Sequence, residues 1–167
     1  MHRLRSTSVS LDSSVIVDFH LTGNLSLLET LFHGRMLISD LVGKELSDAS
    51  IRITSAETIV LSADEEWKFF KELREGKPGL GSGELGAITV AHFRRATLLT
   101  NDRQARLAGE QMGLGVAGAI GVLERGVEMG NLSGKDAVKI LEDMIREGAW
   151  IADELLEMFR QRILQED

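Results

Sequence analysis

The sequence contains no cysteine. That absence removes disulfide frameworks and thiolate metal sites from consideration, and it makes a reducing cytoplasm the expected setting. Tyrosine is also absent and aromatic residues make up only 5%, so stacking platforms of the kind used by single-strand binders are few. A single proline leaves no room for a proline-rich linker. No apolar run approaches the ~18 residues that would span a bilayer, so no membrane association is expected. The opening MHRLRSTSVS is basic, but neither an apolar stretch nor a small-residue cleavage site follows it. A secretory signal is therefore not expected. Positive charge is in deficit: 19 Lys and Arg stand against 26 Asp and Glu, for a net charge of −7. Bulk attraction to nucleic acid is thereby weakened as a source of affinity. A nuclease is not excluded, because its metal site must itself be acidic and its basic residues need only line one groove.

What is present suits one globular domain. The 167 residues can bury a core unaided, and 43% of them are hydrophobic, as a folded chain requires. SVSLDSSVIVDF mixes β-branched residues with an embedded Asp and predicts a strand ending near Asp12, with a turn or helix start at Ser13 and Ser14. Leu25, Leu28, Leu31 and Phe32 recur at helical spacing. RMLIS predicts a strand over 35–39, and SDLVGKEL a helix capped by Ser39 or Asp40. Residues 51–61 have strand content interrupted by SAE, and DEEWKFFKELRE predicts an amphipathic helix over 64–75. A loop over 76–83, a helix over 84–95, a strand over 96–100 and a helix over 102–112 follow, the last stopped by Gly113. A short strand at 115–117 and a helix at 120–128 complete the alternation. Ser133 and Asp136 then form a capping-box-like start to a helix reaching about 147, and 151–164 predicts a last amphipathic helix.

Strands alternating with helices predict an α/β fold with a parallel sheet covered on both faces. The expected division is a core domain over residues 1–132 and a helical extension over 133–167 packed on it. In open α/β sheets, ligands bind at the carboxyl ends of the strands, and four acids are expected there. Asp12 sits in the first strand–helix turn, and Asp102 ends a later strand. Glu84 opens a helix after a glycine loop, and Glu45 lies one turn into the helix after RMLIS. Singly, each has an ordinary explanation: Asp12 as a turn residue, Glu84 and Asp102 as first-turn acids favoured by the helix dipole, Glu45 as a solvated side chain. Together they would repel one another, each raising the others' pKa, unless a cation neutralised them. Oxygen-only ligands without Cys or paired His point to Mg²⁺ or Mn²⁺. His20, His33 and His92 are isolated and read as structural or surface residues.

LDSSVIVDF, ISDLVGKEL, GSGELGAITVA and LLTNDRQARLAGEQMGL, in that order, resemble the four motif regions of PIN domains. These are metal-dependent ribonuclease domains that include the VapC-type toxins of prokaryotes. The resemblance spans roughly residues 9–130, and GLGVAGAIGVLERGVEMGNLS extends it toward a prokaryotic branch of PIN-like proteins. It implies a three-layer α/β/α fold with a central parallel sheet of four or five strands, plus C-terminal helices. It implies that Asp12, Glu45, Glu84 and Asp102 are the first to fourth acids and hold one or two Mg²⁺ or Mn²⁺ ions. Ser14 and Thr100 fall at the small polar positions that support the first and last acids. The implied reaction is hydrolysis of an RNA phosphodiester, leaving a 5′-phosphate and a 3′-hydroxyl. Two positions depart from the pattern. Glu84 stands where many VapC-type toxins have Asp, and Asn101 where related sequences often carry a second acid beside Asp102. The remaining carboxylates suffice for one metal.

Candidate RNA contacts are Lys44, Arg94, Arg95, Arg103 and Arg106, with Arg103 and Arg106 first because their helix starts at the expected cleft. The apolar stripes after Ser133 (Val138, Leu141, Ile145; Ile151, Leu155, Phe159, Ile163) cover the core. Alternatively, they offer a homodimer interface or a groove for an antitoxin-like partner helix. Two other functions were weighed. A catalytically impaired scaffold of the same fold would keep the acids without the reaction. A dinucleotide-binding domain is suggested by Gly81-x-Gly83-x-x-Gly86, but a genuine fingerprint follows a strand directly. Here the polar KELREGKPG precedes the glycines, which read as a loop that lets Glu84 open its helix.

Overall fold

The computed structural model describes Leu4 and residues 7–165. Five short strands carry the alternation: β1 (Val9–Leu11), β2 (Met36–Ser39), β3 (Glu57–Ile59), β4 (Thr97–Leu99) and β5 (Val116–Ala117). They form one sheet in the order β3-β2-β1-β4-β5, with every pairing parallel. β1 is central: Val9 lies opposite Met36 on one side and Thr97 on the other. Every residue of β1, β2 and β4 is buried, as expected of parallel strands with both faces covered.

Parallel neighbours need crossovers, and helices supply them. α1 (Ser13–Leu21) and α2 (Leu25–Leu31) link β1 to β2, and α3 (Asp40–Asp48) links β2 to β3. α4 (Asp64–Gly76) and α5 (Ser82–Arg94) carry the chain back across the sheet to β4, and α6 (Arg103–Gln111) leads to β5. α7 (Ala119–Glu128), α8 (Gly134–Arg146) and α9 (Asp153–Ile163) follow. The result is the expected three-layer α/β/α arrangement. Among the described residues, no helix is long and apolar enough to cross a membrane.

α5 is the axis of the packing. It touches β1, β2 and β4 on one side and α3, α4 and α6 on others, and it is buried at Gly83 and from Leu85 through Ala91. A helix that is apolar all round belongs inside. Gly86 makes the approach possible: an added methyl there would stand 2.5 Å from Ser39 Oγ, the oxygen that accepts from Val42 N–H and caps α3. Ser10 Oγ ties the central strand to the same helix by donating to the Ala87 carbonyl at 2.7 Å.

The element order expected from the sequence is observed, with three differences. The turn or helix start expected at Ser13 and Ser14 is the start of a full helix, α1, over SSVIVDFHL. Val15, Ile16 and Phe19 bury one helical face there, and that packing overrides the strand preference of β-branched residues. The interrupted segment 51–61 yields only three strand residues, Glu57–Ile59. α5 starts at Ser82, so Gly83 lies within its first turn and not in a loop. The glycines of the apparent fingerprint follow helix α4 and a short turn, not a strand.

α8 packs on α7 and α1, and α9 on α8, burying Leu141, Met144, Phe159 and Ile163. Ser133 Oγ accepts from Asp136 N–H at 3.1 Å and caps α8. Leu155, Met158 and Trp150 stay exposed. The outer limits expected for the two segments, residues 1 and 167, lie outside the described residues.

Candidate active site

β1 and β4 are neighbours, and beyond them the sheet order departs from the chain order, so their carboxyl ends flank the topological switch point. Asp12 follows β1 there and is 1% exposed. Its Oδ2 accepts from Ser14 Oγ at 2.7 Å and from Thr100 Oγ1 at 2.8 Å. Its Oδ1 is buried with no hydrogen-bond partner. Burial pushes the carboxyl's pKa up, the two hydroxyls pull it down, and the charge of Glu45 raises it further. The hydroxyls also accept: Asn101 N–H donates to Ser14 Oγ at 3.0 Å and Asp102 N–H to Thr100 Oγ1 at 3.1 Å. One hydrogen-bonded unit therefore joins the ends of both strands.

The other acids have similar divisions of labour. Asp102 caps α6, with Oδ1 accepting from Ala105 N–H at 2.7 Å. Glu84 occupies the third position of α5 and accepts through Oε2 from the Gly81 N–H. Glu45 is held twice, by Gly83 N–H at 3.1 Å and by Ser13 Oγ at 2.6 Å. Burial pushes the Glu84 pKa up, the Gly81 N–H opposes it, and the charges of Asp12, Asp102 and Glu45 add to the rise. The fold thus brings Asp12, Glu45 and Asp102 within electrostatic reach of Glu84. Among the described residues, no three His, Asp or Glu side chains converge tightly enough to form a ready-made metal cage. The donor set nevertheless suits a hard divalent cation: all oxygen, mutually repelling, and including a buried oxygen with no partner.

The basic candidates separate. Arg103 and Arg106 lie in the first turn of α6, beside Asp102. Lys44 pairs with Asp48 at 3.0 Å on the surface of α3. Arg94 lies at the far end of α5 from Glu84, 3.6 Å from Glu66, and Arg95 ends that helix in a left-handed conformation.

Two acids escaped the sequence reading. Asp18 lies on α1, one turn beyond Ser14, and accepts from Asn101 Nδ2 at 2.6 Å. Burial pushes its pKa up, and the Asn101 hydrogen bond opposes the rise. The Asn101 carbonyl oxygen accepts from Ala119 N–H at 2.8 Å. Asn101 is thus a neutral clamp between α1 and α7: its carboxamide donates to one partner and accepts from the other, which an ionised carboxylate could not do. Asp40 opens α3 with its Oδ1 buried and unpartnered. Its place directly after a strand was the available signal, but the sequence offered it only as a cap.

A family model described as a PIN domain matches residues 8–165. No curated protein matches the chain.

Proposed function

The chain belongs to the PIN-domain family, whose members are generally nucleases, and from that premise we propose that it is a metal-dependent endoribonuclease. The observation that carries this reading is the Asp12 carboxylate. One of its oxygens is saturated by two hydroxyls, the other is buried and unpartnered, and it lies within electrostatic reach of Glu45 and Glu84, the latter in turn within reach of Asp102. Asp12, Glu84 and Asp102, with Glu45, are the residues that would hold Mg²⁺ or Mn²⁺. When bound, such an ion offsets the repulsion among the acids and supplies Lewis-acid and water-activating chemistry for phosphodiester hydrolysis.

The chain's own residues prepare the site. Ser14 and Thr100 lock the Asp12 carboxylate in one orientation, so that its free oxygen stays aimed away from their hydroxyls. Asp102 is oriented by its cap to Ala105, and Glu84 by the first turn of a helix buried on nearly every side. Arg103 and Arg106 supply positive charge next to an otherwise acidic cleft. In the reaction, water adds at phosphorus, the bond to the 3′ oxygen breaks, and that oxygen takes a proton. The products are a 5′-phosphate and a 3′-hydroxyl.

Pooled RNA incubated with Mn²⁺ or Mg²⁺ should yield 5′-phosphorylated fragments, and a chelator should stop the reaction. Intact RNA with both ions would remove the nuclease reading. A second reading, a catalytically impaired scaffold, is favoured by one observation: Glu45 and Glu84 are each held by a backbone N–H at the start of α5, and among the described residues no three acids converge.

Finer parts of the proposal concern biology and assembly. A cytoplasmic location fits the cysteine-free composition. We read residues 133–167 as a helical extension of the same domain. A toxin of a toxin–antitoxin pair would need a surface for its protein partner, and Leu155, Met158 and Leu164 expose apolar area on and after α9. The same surface suits a homodimer. Sedimentation velocity should then show a concentration-dependent dimer, and a monomer at every concentration would remove that reading.

A further inference from the structure

A cavity of about 620 Å³ opens beside the acidic cleft, between the first turns of α6 and α7, and reaches the connection between α8 and α9. Its volume lies within the ~300–1,000 Å³ typical of small-molecule sites. Its lining includes Arg103 and Arg106 from the first turn of α6. Neither has a carboxylate partner among the described residues, although Arg94, Arg125, Arg146, Arg160 and Arg162 all do. Arg35, Arg52, Arg74 and Arg95 likewise make no ion pair among the described residues, but Arg103 and Arg106 stand together in one helical turn at the cavity. Gly118 lets one of them in: a methyl there would lie 2.7 Å from both Arg106 Nη1 and Asn101 Oδ1. Trp150, 76% exposed, lines the same cavity with Leu155 and Leu107. The acids of the cavity do not cancel the arginines. Glu124 pairs with Arg162 and Glu128 with Arg125, and Glu110, one turn along α6 from Arg106, makes no ion pair with it.

We infer that this cavity is a subsite for one unstacked nucleotide of single-stranded RNA, its phosphate held by Arg103 and Arg106 and its base stacked on Trp150. The inference rests on the nuclease reading for its choice of ligand. A guanidinium pair recognises a phosphate by bidentate, charge-assisted hydrogen bonds. An exposed indole offers a flat face that any base can cover. A duplex is a poor ligand for the site, because its bases are already stacked on one another and leave no free face for the indole. The subsite therefore selects single strands and places the bound phosphate next to Asp102.

Binding of a fluorescein-labelled single-stranded RNA hexanucleotide, followed by anisotropy in EDTA, tests this without any cleavage. The double variant Arg103→Gln/Arg106→Gln and the variant Trp150→Ala should each bind roughly tenfold more weakly. The double variant's salt dependence should also be shallower by a slope of ~0.7, the value for one phosphate of a single strand. Trp150→Phe should restore most of the affinity. In a Trp67→Phe background, the RNA should quench the remaining tryptophan emission, and the same sequence as a duplex should not. Variants are compared only where melting temperatures match the wild type. Wild-type affinity and slope in both lesions would overturn the subsite. So would unchanged RNA binding by Trp150→Ala together with an altered sedimentation profile, which would make the cavity a protein contact. Absence of cleavage with Mn²⁺, with variant-sensitive binding retained, would remove the nuclease reading and leave the subsite standing.

Discussion

Asp12→Asn is expected to reduce metal-dependent RNA cleavage by more than ~100-fold and, at the same time, to raise the melting temperature at neutral pH. Loss of groups that merely support a metal ligand typically reduces metal affinity or activity by about 10–100-fold, and Asp12 is read as a ligand itself. The stability gain follows from its burial. An acid whose pKa is raised on folding holds its proton more tightly in the folded chain than in the unfolded one. Stability therefore falls as pH climbs from the ordinary carboxylate range through the raised value. Asp12 and Glu84 both shift in this direction, each chiefly through burial. Asn keeps an oxygen to accept from Ser14 and Thr100 and removes the charge. Site-relieving changes of this kind commonly add about 0.5–2 kcal/mol, with about 2–4 °C for each kcal/mol at this chain length. Thermal melts at pH 7 should show the gain, melts near pH 4 should show less, and Mg²⁺ should stabilise the wild type more than the variant. An unchanged or lower melting temperature at pH 7, with an equal response to Mg²⁺, would sink the assignment of Asp12.

Gly83→Ala should separate stability from activity in the opposite way, with little effect on melting and a loss of cleavage of roughly tenfold or more. Gly83 has no positive φ and lies in the first turn of α5, so alanine fits the backbone and gains up to ~1 kcal/mol of helix propensity. Its methyl group, however, would overlap both carboxylate oxygens of Glu45. Those atoms end a flexible, solvent-exposed side chain and can swing away at little cost to the fold. What is lost is the position of Glu45, now fixed by Gly83 N–H and Ser13 Oγ. Glu45→Gln should produce a comparable loss of cleavage without moving the side chain. Full activity in Gly83→Ala would mean that Glu45 takes no part in the reaction.

The order of elements was legible because their signals are local. RMLIS reads as a strand, Ser39 as its following cap, and Gly113 as a helix stop, and each is observed. The start of α1 at Ser13 was legible but its extent was not, since Val15, Ile16 and Val17 favour a strand until Phe19 and the neighbouring helices select the helical face. The four acids could be proposed from position alone, because each follows a strand or opens a helix. Their mutual proximity needed the sheet order. Asp18 could not be found that way: its partner Asn101 is 83 residues distant and was read as a lost acid rather than a clamp. Gly83 was read for turning, whereas its use is to leave space for Glu45. Trp150 was invisible as a site residue because nothing nearby in sequence hints that α6 and α7 open toward it.

The burial of α5 has a further consequence for the timescale on which the cleft can rearrange. Amide protons at its centre are shielded by the sheet and by three helices, so they should exchange with solvent only when the whole domain opens. Glu84 is thus mounted on the slowest-breathing part of the molecule, while Trp150 lies on a connection with little covering it. A nucleotide would meet one boundary that waits in place and another that adapts. Any change of shape on binding would be confined to the side away from the acids.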